Sequence, residues 1–169
     1  MQRILFFFSL IFLLSNCGKD EPVLFTMPYQ QSFEIQAGLS TVDNHHFVIS
    51  NIPTNKDNFF SVNNVTDEEV VIINPESCRL TSVLNSDYGF LFNVSVRMYT
   101  DNPDAYREIF YRDNVPSNTG TQLDLIPTLA NVRDLLVGDN FTVEVVLERP
   151  RVPSPEFIET IIQMEFAVR

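Results

Sequence analysis

Three stretches alternate apolar and polar residues strictly, and they constrain the fold more than anything else in the chain. In Phe90–Tyr99, Phe90, Phe92, Val94, Val96 and Met98 fall on one side, with Asn93, Ser95 and Arg97 on the other. Phe141, Val143, Val145 and Leu147 alternate with Thr142, Glu144 and Glu148, and Ile158, Ile162, Met164, Phe166 and Val168 with Glu159, Gln163, Glu165 and Arg169. A period of two is the geometry of a strand buried on one face, because successive side chains point to opposite sides. Shorter runs, Ser32–Ala37, Phe47–Ile52 and Glu69–Ile73, are stopped by Gly38, Pro53 and Asn74-Pro75.

Seven or eight short strands of this kind predict an all-β fold, an antiparallel β-sandwich of immunoglobulin-like or Greek-key type. A small closed barrel is the alternative. One short helix is expected at Asn131–Gly138, where Val132, Leu135 and Leu136 share a face and Gly138 is placed as a C-cap. The three prolines of Arg149–Pro155 end any strand between the last two alternating stretches.

The N-terminus has a different character. Arg3 precedes Ile4–Leu14, eleven residues interrupted only by Ser9, and Cys17 follows Leu14-Ser15-Asn16. A basic start and a short apolar run make a secretory signal, well short of the roughly 20 residues that cross a bilayer. These residues resemble a bacterial lipobox, and Lys19-Asp20-Glu21 resembles the acidic export tag of surface lipoproteins of Bacteroidota. Asn16 departs from the usual Gly, Ala or Ser before the cysteine. The resemblance covers about the first 22 residues. It implies cleavage before Cys17, a diacylglycerol and acyl (palmitate-type) lipid on its sulfur, and an outer-membrane, cell-surface location. The expected organisation is a signal peptide over 1–16, a lipidated tether over 17–30 and a single β-domain over 31–169. Beyond the covalent lipid no cofactor is expected, and the oligomeric state is left open.

Cleavage leaves 153 residues, enough for one core without metal or disulfide staples. The full chain carries 11 basic and 22 acidic residues, and losing Arg3 takes the net charge from −11 to −12. That acidity argues against nucleic acid as a partner. With Cys17 acylated, Cys78 has no partner within the chain, and a small buried hydrophobe is the expected role.

Catalytic signatures are sparse. His45 and His46 are the only histidines, expected in a solvated turn, and adjacent strand residues cannot share one ion. The five glycines are scattered, and no Gly-x-Ser-x-Gly elbow occurs. No enzymatic activity is expected. Asp101-Asn102-Pro103-Asp104 is an acidic turn flanked by Tyr99, Tyr106 and Tyr111. These five residues (Tyr99, Asp101, Asp104, Tyr106, Tyr111) are the best candidates for a ligand rim, since Tyr offers an apolar body and a polar tip. The expected function is that of a membrane-anchored lipoprotein with a non-catalytic interaction or structural domain, engaging an envelope protein. The alternative is a glycan- or calcium-binding surface module for nutrient capture or adhesion.

Overall fold

The computed structural model describes residues 22–169. Cys17, Lys19, Asp20 and Glu21, with the expected signal and lipobox, lie outside the described residues. Eight strands form one antiparallel sheet: β1 Phe25–Ile35, β2 Asn44–Pro53, β3 Ile73–Ser82, β4 Asn93–Tyr99, β5 Arg107–Arg112, β6 Gln122–Pro127, β7 Asn140–Glu148 and β8 Ile158–Val168. Their spatial order is β1-β8-β3-β6-β5-β4-β7-β2.

The all-β expectation holds, and its two versions meet in this architecture. β1-β8-β3-β6 and β5-β4-β7-β2 face each other across one core, as in a sandwich. β6 nevertheless pairs with both β3 and β5, so the sheet runs on round the core and is nearly closed. The open seam lies between β1 and β2. It is bridged from the core side by Tyr29, whose hydroxyl donates to the Thr54 carbonyl at 2.6 Å. The Tyr29 ring meets Phe141 and Phe166 edge-on, at 5.1 and 5.7 Å between centroids. Burial pushes its phenol above the ordinary range.

The inward residues of the three alternating stretches are buried as their spacing predicts: Val94, Val96 and Met98 on β4, Phe141 to Leu147 on β7, and Ile158 to Val168 on β8. Four expectations need correction. Strand β1 begins at Phe25 and pairs with β8 from Phe25↔Val168 onward, so residues 25–30 belong to the domain rather than to a tether. Asn74-Pro75 does not end a strand, because β3 starts at Ile73. A register shift between Pro75 and Ser77 absorbs the missing donor, and a bulge is where a sheet tolerates proline.

The helix also sits elsewhere. Among the described residues the α-helix, α1, is Lys56–Asn63, flanked by Asn55 and Asn64 in left-handed conformation. It docks through Phe60, whose ring meets Phe25 edge-on at 5.6 Å. Residues 133–136 form a single 3-10 turn that still buries Leu135 and Leu136. Finally, Phe90–Phe92 precede β4 rather than belonging to it, with Gly89 and Phe90 in a turn and Phe92 exposed.

Connections alternate between two ends. At one end lie residues 22–24, the β2–β3 connection with α1, the β4–β5 and β6–β7 connections and the C-terminus. At the other end lie the β1–β2, β3–β4, β5–β6 and β7–β8 loops. The first is called the proximal end, because the chain enters there from Cys17.

Candidate functional site

The expected rim residues divide. Ser95, Arg97 and Tyr99 face outward on β4, and Tyr111 of β5 pairs with Ser95. Across β4 and β7 the register puts Ser95 beside Val146, Arg97 beside Glu144 and Tyr99 beside Thr142. Ser95, Tyr99, Thr142 and Val146 are buried although they point away from the core. Over them runs a polar chain. The Arg97 guanidinium lies over the Tyr106 ring at 4.4 Å and 3.5 Å from Glu144, while His46 Nδ1 is 2.9 Å from the other Glu144 oxygen. Burial, and then the Glu144 charge, raise the Tyr99 phenol pKa.

The acidic half of the rim does not assemble. Asp101 and Asp104 stay exposed in the β4–β5 turn, where the Asn102 side chain accepts a bond from the Asp104 amide at 3.0 Å. Among the described residues no three His, Cys, Asp or Glu side chains stand close enough to hold a metal ion. The histidines lie on β2, not in a turn: His45 Nε2 is 2.8 Å from the Ser40 carbonyl, and His46 points the other way, to Glu144. Cys78 is a buried free thiol, and burial, with Asp124 nearby, raises its pKa.

A second surface, which sequence spacing did not single out, is built at the distal end. Ser154 holds two loops together: its hydroxyl donates to the Gln36 carbonyl at 2.5 Å and accepts from the Leu39 amide at 3.1 Å. Its carbonyl takes the amide of Gly38, where φ is +74°, a left-handed turn that suits glycine. The β3–β4 loop joins through Ser86 Oγ, which donates to Glu156 at 2.6 Å, and through the Val83 amide to the Glu159 carbonyl at 2.9 Å.

Arg151 clamps the remaining loops. Its guanidinium donates to the Leu91 carbonyl at 2.8 Å and to the Val115 carbonyl, and lies 5.1 Å from the Phe92 ring centre. Gly89 passes so close to the β5–β6 loop that a Cβ there would meet the Ser117 carbonyl oxygen at 2.2 Å. On loops fixed in this way, Val42, Val83, Leu84, Val152 and Phe157 are exposed at 76%, 42%, 66%, 54% and 46%. Scattered exposed apolar residues are ordinary; these five stand on neighbouring, mutually bonded loops. Their signal is five separate residues in three loops, which only the topology gathers.

Among the described residues no helix is long and apolar enough to cross a membrane. No protein-family model matches the chain, and no curated protein matches it.

Proposed function

We propose that this chain is a lipoprotein of the bacterial outer envelope, anchored through acylated Cys17, whose β-domain acts without catalysis by binding an envelope protein. The observation that supports the reading is the distal surface. Five exposed apolar side chains stand on loops locked together by Ser154, Glu156 and Arg151, at the end opposite to where the chain enters from Cys17. A rigid apolar patch held away from the membrane suits a protein partner, since preorganised loops lose little entropy on binding.

The test is crosslinking in intact cells of the source bacterium. A specific outer-membrane partner should be captured by the native chain and lost with Leu84→Asp plus Phe157→Asp, while palmitate labelling of both persists. Capture that survives the double substitution rules out this surface. Cys17→Ala should abolish the label and release the protein from membranes, and a label that persists rules out the lipobox.

The Arg97 face favours a second reading, glycan binding in nutrient capture or adhesion. The Tyr106 ring lies against a half-buried guanidinium there, with Tyr111 on the neighbouring strand beside Ser95, and aromatic rings beside polar groups suit sugars. A glycan array on the purified chain separates the two.

A further inference from the structure

The distance between Cys17 and the folded domain is short, and it bears on how the domain sits. With β1 starting at Phe25 and the described chain at Pro22, five peptide steps separate Cys17 from the domain's first described residue. They reach at most roughly 18 Å. Strand β1 alone, with 11 residues, is about 36 Å long at the usual rise per residue. An acyl anchor holds Cys17 at the bilayer interface. The proximal end is thereby kept within half a domain length of the lipid.

That end is not uniformly polar. The Leu24 amide donates to the Val168 carbonyl at 2.8 Å, the Val71 amide to the Arg169 carbonyl at 2.7 Å and the Val132 amide to the Ile73 carbonyl at 2.8 Å. These bonds gather three segments around the C-terminal end of β8. On them Val23 and Leu24 are nearly half exposed, Val71 is 59% exposed and Leu129 is 97% exposed. Leu129 stands in the β6–β7 connection, whose next residue is held by the bond from the Asn74 side chain to the Ala130 carbonyl at 3.2 Å. A leucine so exposed gains nothing from the domain's own core.

We infer that the proximal end is a membrane-docking surface, with Val23, Leu24, Val71 and Leu129 seated in the interface of the bilayer that holds the Cys17 lipid. The inference rests on the lipid-anchor reading and goes beyond it. The anchor alone demands only a tether, whereas docking fixes the domain's orientation and points the distal loops outward. Glu68 and Glu69, exposed in the turn before Val71, oppose anionic headgroups, so the docking is apolar and favours zwitterionic lipid.

The chain has no tryptophan, so one introduced indole reports on one place. The full chain carrying Leu129→Trp, lipidated by a bacterial host and checked by palmitate labelling, is reconstituted in phosphatidylcholine vesicles with brominated acyl chains. Docking predicts a blue-shifted emission that bromine quenches, with quenching weakened in vesicles rich in phosphatidylglycerol. Leu84→Trp at the distal end should stay red-shifted and unquenched.

A labelled, vesicle-bound chain whose Leu129→Trp is unquenched overturns the docking and leaves the anchor standing. A blue shift without quenching means that a second protein surface covers the patch, and overturns it too. Quenching of both indoles means that the domain lies on its side, which overturns the docking as well. No palmitate label removes the anchor, and the docking with it.

Discussion

The two halves of the sheet present outward faces of different kinds. On β1, β8, β3 and β6 the outward residues make polar pairs in the open: Gln163 to Gln30 at 3.2 Å, Ser77 to Glu165 at 2.9 Å and Arg79 to Asp124 at 2.6 Å. On β5, β4, β7 and β2 the outward face is a second, thinner layer of burial, in which Arg97, Glu144 and Tyr106 lie over Ser95, Thr142 and Val146. The same strand alternation underlies both. Period two says which way a side chain points, but not what lies on top of it. Exposed pairs like Arg79–Asp124 contribute little, because water and salt screen them, whereas covered groups lose hydration and are sensitive to loss of a partner.

The sharpest way to break this comparison is to put the same charge at the middle of each outward face. Val146→Asp should destabilise the domain by about 3 kcal/mol or more, because it buries a carboxylate beside Ser95 and on the same face as Glu144, whose charge repels it. Gln163→Asp, outward on the central strand of the other half, should cost under about 0.5 kcal/mol. Urea midpoints of the two variants decide it, and equal losses would mean that the two faces do not differ. Arg97→Ala comes next, at about 2 kcal/mol in the same assay. It removes the stacking on Tyr106 and leaves half-buried Glu144 with His46 alone.

The sequence is legible where one physical rule dominates. The alternating stretches become β4, β7 and β8, with Val94, Phe141 and Met164 turned inward, since a sheet over one core leaves no other arrangement. Helix α1 was not legible, because Lys56–Asn63 has a weak apolar face and is held by tertiary contacts, Phe60 on Phe25 and Phe59 on Tyr29. The available hint was Asn64, whose left-handed conformation ends it. The pattern at Val132, Leu135 and Leu136 correctly marked buried residues, but it spans too few residues to sustain more than a 3-10 turn. Of the proposed rim, the tyrosines come to one face because strands β4 and β5 are paired neighbours; Arg97, which shares that face, was not part of the rim. Asp101 and Asp104 stay exposed in a turn that Asn102 caps instead. The distal surface depends on bonds from Ser154, Glu156 and Arg151 to residues at least 36 positions away, beyond any local pattern.

Ser95 sharpens the comparison from the other side. Its hydroxyl is buried on the outward face with no hydrogen-bond partner, as is Arg97 Nε. A buried orphan hydroxyl costs about 1 kcal/mol or more. Ser95→Ala should therefore leave stability unchanged or raise it by up to about 1 kcal/mol. A loss greater than that in the urea midpoint would mean that the hydroxyl is satisfied by bound water, making this face a hydrated site rather than a strained one.

The smallest expected effect belongs to Glu108, which pairs with Arg97 in register and is exposed at the margin of the same face. Partial burial raises its pKa above 4.5; Arg97 works against that rise, and Glu148 and Asp113 add to it. A carboxyl whose folded pKa is raised holds its proton more tightly in the folded chain. Its contribution to stability is fully present below pH 4.5 and is lost as the pH climbs through the raised value. Glu108→Gln removes that loss. The variant should match the native chain below pH 4.5 and equal or slightly exceed it at neutral pH, read as urea midpoints across the range. If the variant is instead the weaker one at neutral pH, attraction to Arg97 outweighs desolvation. The margin of this face would then behave like the open pairs of the other half, and the boundary between the two kinds of surface would lie between Glu108 and Arg97.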